Sequence, residues 1–506
     1  LPRGGGVMAD ASLSCGASGV KRLPFAALAA LVASLTSAAP VSIEQIESLA
    51  GGVAASLEVS LASGEEVSIA QAVRPEEASV SAFAAAEDAQ STLFYVIDRG
   101  AAGGFVVMSA DDTIEPVLAI APTGSFDPSP DSPLYELLQL DVPERIADAA
   151  AAGGGRSAGW SSLLDAESGS AQSIAYEGIS SIDDVRVEPL VQSKWSQSTV
   201  GGKNVYNYYT PNNYVCGCVA TAGSQILRFH KQPSGSVTPV TRTCQVNGSS
   251  VSKTMYGGTY DWDGMPLVPD SSITDAERQA IGKICYDMGV ALYMSWTSNA
   301  SGTGGYCLKD AFLDVFGYKN AMAWQLDGGT LSGSTVEKAI LANLDAGYPV
   351  ELSISSSSSG HSIVGDGYGY SDGELYVHLN LGWGGAYDLW YNLPDIGTYY
   401  KFNAVNGAVY NIFPDGTGDL LTGRVLDAST GDAIANATVQ AFDGSVLAGS
   451  AATDAKGIWA LRLPGGKAYS VTASASGAET STMEVYLQKS ETTATDNVAD
   501  TTFGRE

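Results

Sequence analysis

Between Ala149 and about Ser180 the chain is dominated by glycine, serine and alanine, including Gly153-Gly-Gly155. Such a stretch cannot bury much apolar surface, so it reads as an exposed, cleavable linker. The segments on either side of it are therefore expected to fold as separate units. At 506 residues the chain exceeds what one hydrophobic core normally serves, and three or four domains are expected. Hydrophobic residues at 45% and charged residues at only 16% fit packed domains rather than extensive disorder.

The pieces differ in pattern. Lys21-Arg22, an apolar run from Leu23 to Leu35 and small residues from Ser37 to Ala39 are the three parts of a secretory signal, so residues 1–39 are expected to be a leader. That run is shorter than the roughly 20 apolar residues a membrane span needs, and no membrane span is expected. Residues 40–150 read as an α+β unit. Ile43, Ile46, Leu49 and Val53 recur at helical spacing over 42–57. Leu93–Ile97, Phe105–Met108 and Val117–Ile120 are β-rich, the first two separated by Gly100 to Gly104, a hairpin signal. After the linker, 151–182, residues 183–414 are rich in Tyr and Trp. Helices are expected over Cys218–His230, Ala276–Leu292 and Val336–Leu344. Strands are expected over Pro349–Ile354, His361–Tyr368 and Leu375–Leu381, with a turn at Ser371-Asp-Gly373. Residues 415–490 alternate in short strands with Gly, Asp and Pro turns, as a β-sandwich does, and 491–506 read as a tail.

Lys and Arg total 26 against 55 Asp and Glu, a formal charge of −29. A surface that acidic repels phosphate backbones and anionic lipid heads, which argues against nucleic acid and membrane surfaces as partners. Its ordinary meaning is solubility outside a cell.

Six cysteines are present. Cys15 leaves with the leader, and Cys216, Cys218, Cys244, Cys285 and Cys307 remain, an odd number that leaves at least one free thiol in an exported protein. Cys218 opens an expected helix, where partial positive charge and unsatisfied amides stabilise a thiolate. Taken alone, it could equally be a buried structural cysteine or half of a disulfide. A base must come from His230, His361 or His378. His230 ends the helix that Cys218 begins, a helix length away, and suits the C-terminal end. His378 lies inside a strand and suits packing. His361, after Gly360 and a serine-rich loop, comes after Cys218 by about 130–150 residues, the separation of nucleophile and base in one class of thiol hydrolases. Asn380 can orient the imidazole, Trp383 can shield it, and Gln197 with the Cys218 backbone N–H can serve a developing oxyanion.

These segments together resemble the streptopain family of papain-like cysteine peptidases. The matching pieces, in order, are Val187-Glu-Pro-Leu190 with Trp195 and Gln197, Tyr206-Asn207, Gly217-Cys-Val-Ala-Thr-Ala222 with Gln225-Ile226 and His230-Lys231, Tyr260-Asp-Trp262 with Met265-Pro266, Gly360-His-Ser-Ile-Val364 with Asp366-Gly-Tyr368, and Asn380-Leu-Gly-Trp-Gly-Gly385. Gly103-Gly-Phe-Val-Val-Met-Ser-Ala-Asp-Asp112 and Glu115-Pro-Val-Leu118 resemble the family's inhibitory propeptide, and the C-terminal part resembles immunoglobulin-like accessory domains. Two positions depart from the pattern: many members carry Trp where Leu381 stands, and Ser301 to Gly305 matches only loosely.

The resemblance implies an α+β fold: a papain-like catalytic domain with a helical lobe and an antiparallel β lobe, after an α+β propeptide and before an all-β sandwich. It implies a secreted cysteine endopeptidase made as a zymogen, with Cys218 and His361 as the dyad, acting through a thioester. Gln197 takes the oxyanion role, and Asn380 and Trp383 hold the histidine. Ser301, Gly302, Gly360, Gly384 and Gly385 are candidates for the substrate cleft. Extracellular proteins or peptides are the expected substrates, with an apolar side chain preferred two residues before the cleaved bond, and the propeptide is the intramolecular inhibitor. No metal or organic cofactor is expected. Cys216 matches no motif position and is expected to pair with Cys244, Cys285 or Cys307. A non-catalytic surface or matrix protein and a thioester-based transferase are the alternatives; the intact Gln197, Cys218, His361 and Asn380 set argues against the first, and the propeptide against the second.

Overall fold

The computed structural model describes residues 41–43, 45–46, 79–85, 88–98, 105–114, 116–121, 126–128, 132–151, 156–157, 160, 182–297, 300–325, 340–356, 360–371, 373–393, 396, 402–489 and 499–503. The leader, most of the expected helix at 42–57, the glycines at 100–104 and most of the linker lie outside these residues.

The first unit is an antiparallel meander of β1 (Ser79–Ala85), β2 (Asp88–Asp98), β3 (Phe105–Ser109) and β4 (Val117–Ala121), in chain order. Every residue of β3 is buried, as expected of a near-continuous apolar strand covered on both faces. α1 (Pro133–Ala151) contributes Leu134, Leu138, Val142 and Ile146, spaced four apart on one face, to a buried cluster with Phe94, Phe105 and Leu118. This helix is not among the elements expected from sequence.

In the next domain, β5 (Asp184–Val187) is followed by the two-residue ladder of β6 (Thr199–Val200) and β7 (Lys203–Asn204). The helical lobe is built on α2 (Cys218–His230) and α3 (Asp275–Ala291), flanked by the hairpin of β8 (Thr241–Val246) and β9 (Ser249–Thr254) and by β10 (Ser295–Trp296). α2 is buried on nearly every side, from Val219 through Arg228. α3 starts at a capping box in which Thr274 and Glu277 satisfy each other's backbone N–H groups.

The β lobe contains β11 (Asn320–Gln325), β12 (Val350–Ser355), β13 (Gly360–Ser371), β14 (Glu374–Asn380), β15 (Leu389–Tyr391) and β16 (Ala404–Phe413). They lie in the order β11-β16-β12-β13-β14-β15, with β5 also on β13. The expected strands and the Gly373 turn are present, and the third expected helix is seen at 340–345. Pairing of Glu351 with Val364 and of Ser353 with Ser362 puts these four on one sheet face. Val364 belongs to the core of the helical lobe, so that face is turned toward α2. Leu352 and Ile363, on the other face, join the cluster that continues into the first unit through Phe94, Phe105 and Leu134.

The last domain is a sandwich of two sheets made from β17 (Asp419–Val425), β18 (Thr438–Asp443), β19 (Val446–Ala452), β20 (Ile458–Leu463), β21 (Lys467–Ser474), β22 (Ser481–Leu487) and β23 (Ala499–Phe503). One has the order β20-β17-β23 and the other β19-β18-β21-β22. Leu421, Val439, Trp459 and Tyr469 fill the space between them. β23 pairs with β17 from within the stretch read as a tail. Arg462 joins the sandwich to the β lobe, its guanidinium 4.9 Å from the Phe413 ring and 3.1 Å from Asp415. Among the described residues no helix is long and apolar enough to cross a membrane.

Candidate active site

Cys218 is the first residue of α2, and the turn before it requires glycine. Gly217 has φ +96°, and a Cβ there would lie 2.9 Å from Met294 and 3.0 Å from the Ser301 carbonyl oxygen. Ser301 is thus packed against the nucleophile's turn, and Gly302 is held there by reciprocal backbone bonds with Ser295 at 3.1 Å. On the other side, the Cys216 N–H donates to the Gln197 carbonyl at 2.9 Å and the Thr221 hydroxyl to the Ser196 carbonyl at 3.0 Å. Gln197 is therefore buried alongside the start of α2.

Backbone N–H groups of Ser362 and Val219 point at the Cys218 sulfur and favour its thiolate, but burial outweighs them and pushes the thiol up to about 11. His361, the neighbour of Ser362 on β13, is pushed down to about 4, again by burial, with its bond to the Leu381 carbonyl opposing. With the first unit in place, both groups are neutral near pH 7. The sulfur and the imidazole share no hydrogen bond in this state.

The imidazole is held by three contacts. Nε2 lies 2.7 Å from the Leu381 carbonyl oxygen, Trp383 stacks on the ring at 4.6 Å between centroids, and Phe402 stacks at 5.9 Å. A carbonyl only accepts, so Nε2 carries the proton of the neutral ring and Nδ1 presents a lone pair. The Leu381 peptide is itself anchored: its N–H donates to Asp388 at 2.9 Å, and Lys194 pairs with the other oxygen of that carboxylate at 2.9 Å. Positive φ at Gly382, Gly384 and Gly385 shapes the loop that carries Trp383, and the Gly384 N–H bonds the Trp195 carbonyl at 3.0 Å.

Asn380 does not have its expected partner. Its Oδ1 accepts from Gln225 Nε2 at 3.0 Å and from the Gly382 N–H at 3.1 Å, and its Nδ2 donates to the Ser193 carbonyl at 2.8 Å. The amide is used up joining β14 to α2 and to the segment before it at Ser193, so the adjacent main-chain carbonyl meets the imidazole instead. The expected disulfide is also not formed. Cys216 is a free thiol, as are Cys218, Cys244 and Cys285, and the Cys216 sulfur lies 3.3 Å from the Thr221 hydroxyl. His378 is bonded to Asp366 at 2.6 Å, and His230 packs among Phe229, Tyr318 and Tyr348. Gly360 opens β13 at an exposed position.

One residue beside the nucleophile is not singled out by any sequence motif. Glu351 is fully buried on the face turned toward α2, accepting from Ser362 at 2.7 Å and Ser353 at 2.9 Å. The alternation of β12 places it beside Ser353, but nothing in the sequence places that face against Cys218.

The first unit closes over the same region. The Asp127 carboxylate accepts from the Thr199 hydroxyl, and Phe105, Asp127 and Leu134 meet Lys194, Trp383 and Gly384 around a cavity of about 40 Å³.

Residues 195–391 match the Peptidase C10 family, residues 60–141 the Spi protease inhibitor and residues 421–499 the carboxypeptidase regulatory-like domain. Streptopain of Streptococcus pyogenes serotype M1 is 25% identical over 340 residues, spanning 62% of this chain and 79% of that protein. The thiol protease/hemagglutinin PrtT of Porphyromonas gingivalis is 25% identical over 319 residues, 59% of this chain and 34% of its own length. Among solved structures, a prointerpain A fragment from Prevotella intermedia is 22% identical with a TM-score of 0.41, covering 67% of this chain and all of that one. The active interpain A protease is 26% identical with a TM-score of 0.39, covering 45% of this chain and 95% of that one. The chain thus carries a Peptidase C10 domain of the streptopain type and is a cysteine endopeptidase made as a zymogen, with its own inhibitor domain ahead of the catalytic one.

Proposed function

We propose that Cys218 and His361 form the catalytic dyad of a secreted endopeptidase and that peptide cleavage runs through a thioester on Cys218. The observation that carries this reading is the placement of the imidazole. His361 sits next to the residue whose backbone N–H faces the Cys218 sulfur, and its Nε2 is occupied by Leu381, which leaves Nδ1 as the proton acceptor of the ring. Nδ1 takes the thiol proton, the sulfur attacks the substrate carbonyl carbon, and His361 then protonates the departing amine. The Cys218 N–H and the Gln197 side chain stabilise the oxyanion. Water, deprotonated by the same imidazole, hydrolyses the thioester and frees the acid.

Latency comes from the inhibitor domain, whose Phe105, Asp127 and Leu134 sit with Trp383 and Gly384 around one cavity beside the imidazole on which Trp383 stacks. Cleavage in the linker near residues 155–185 would release the cover. Export rests on the leader pattern at 21–39. The test is to express residues 40–506 with and without Cys218→Ala. The unsubstituted protein should shorten to a form beginning near 155–185 and react with an epoxide thiol-protease inhibitor, while the variant stays whole and unlabelled. A processed protein that neither labels nor cuts denatured protein would overturn the dyad.

A further inference from the structure

Three short segments, far apart in the chain, form one wall beside His361. The Gly384 N–H donates to the Trp195 carbonyl at 3.0 Å, and the Lys194 N–H to the Leu267 carbonyl at 2.7 Å. These bonds tie the loop of Trp383 and the stretch from Leu267 to Pro269 to the segment that carries Gln197. Val200, Val268, Pro269 and Trp383 give the wall an apolar surface, and all four line the cavity that the inhibitor domain closes. Two of its polar members already have partners: Lys194 pairs with Asp388 at 2.9 Å, and the Thr199 hydroxyl donates to Asp127. Space is left at Gly384, where a Cβ would meet no atom within 4 Å.

The inhibitor domain shows what such a surface takes. Phe105 and Leu134 line the cavity from the other side, and they belong to the same cluster of buried apolar side chains as Trp383. Even with that cover in place, Val268 is 42% exposed. Removing the cover bares apolar area, and its reburial by another apolar group is favourable.

Position decides which half of a substrate meets this wall. The Gly217 turn has Ser301 packed on one side and Gln197 on the other. The cavity lies on the Gln197 side, because Ser196 and Thr199 line it while Ser301, Gly302 and Gly360 do not. Trp383 stacks on the imidazole at 4.6 Å. The acyl half of a substrate stays bonded to the sulfur, whereas the departing amine must reach the imidazole for its proton. The chain after the cut therefore runs past the ring and the tryptophan stacked on it.

We infer that Val200, Val268, Pro269 and Trp383 form a subsite for an apolar side chain of leucine or phenylalanine size, carried within the first three residues after the cleaved bond. In the zymogen that place is faced by Phe105 and Leu134. This rests on the proposed dyad, and it lies across the cut from the apolar preference that the family resemblance implies.

The test uses internally quenched peptides that share the residues before the cut and carry serine, leucine or phenylalanine at the first, second or third position after it. Product masses identify the bond cleaved. For the processed enzyme, kcat/KM with leucine or phenylalanine should exceed that with serine by at least about tenfold at one of these positions. Val268→Asp should bring that ratio to within about twofold, and the milder Val268→Ser should lower it at least about threefold. A second series, varied before the cut, should keep its native ratios in both variants. A native enzyme that cuts the peptides with no apolar preference after the cut overturns the inference and leaves the dyad standing, whatever the variants do. So do variants that keep the native ratio, or that lose the ratios before the cut to the same extent. Peptides left wholly uncut overturn the proposed function, and this inference with it.

Discussion

Replacing Asn380 by alanine separates two ways of building the site. If the amide oriented His361, its loss would strike catalysis and leave the fold almost untouched. The observed bonds require the reverse. Truncation leaves the Gln225 amide, the Ser193 carbonyl and the Gly382 N–H, bonded at 3.0, 2.8 and 3.1 Å, without their partner in a buried place. At about 1 kcal/mol for each bond lost, the catalytic domain should be destabilised by about 3 kcal/mol. For a domain of 150–250 residues, where each kcal/mol moves the midpoint by about 2–4 °C, that is a fall in Tm of roughly 6–12 °C. Melting is best monitored in a Cys218→Ala background, where self-cleavage cannot intrude. In the otherwise native enzyme, Nε2 still meets the Leu381 carbonyl, so kcat/KM should fall by less than about tenfold and the limbs of its pH profile should stay in place. An unmoved Tm with a hundredfold loss of kcat and a displaced pH limb would refute this reasoning, because it would put the amide on the imidazole in the active enzyme.

Two further outcomes are expected. Zymogen carrying Asp127→Ala loses the carboxylate that bonds Thr199 across the inhibitor boundary and should self-process up to about tenfold faster on a gel time course; an unchanged rate would remove Asp127 from the latch. Burial holds His230 down at about 4 against about 6.5 when unfolded, so the unfolded chain binds the extra proton first as pH falls. Its contribution is harmless above pH 6.5 and costs about 3 kcal/mol by pH 4. His230→Phe should flatten that acid-side loss of Tm in the Cys218→Ala background, and equal pH dependence in both proteins would show that His230 is not responsible.

Much of the architecture is legible along the chain because its signals are local. Alternation marks β12 to β14, Gly373 marks the turn between β13 and β14, and the apolar face of 218–230 marks a helix that the structure buries almost all round. The elements missed are those whose signal is weak or diluted. β19, within the stretch read as a sandwich, is mostly exposed and made largely of small residues, so its sequence marks no individual strand. The buried Leu134, Leu138, Val142 and Ile146 of α1 are spaced four apart, but Glu136, Asp141, Pro143, Glu144 and Arg145 are interspersed with them and with Leu137 and Leu140. Pairing of Cys216 is the ordinary expectation for an exported cysteine, whereas the fold surrounds its sulfur with a hydroxyl and other free thiols.

From the residues alone came the reactive thiol at the head of a helix, the short choice of bases, the order of the domains and the matching family motifs, because each is a property of neighbours in the chain or of what the chain contains. Which acceptor meets the imidazole was decided in three dimensions. Asn380 and Leu381 are adjacent in sequence, and only the arrival of Gln225 and Ser193 from other elements claims the first and leaves the second free. The burial of Glu351 is likewise a product of tertiary packing. A carboxylate in a strand is commonplace until Gly305, Ser353 and Ser362 close around it and bury it.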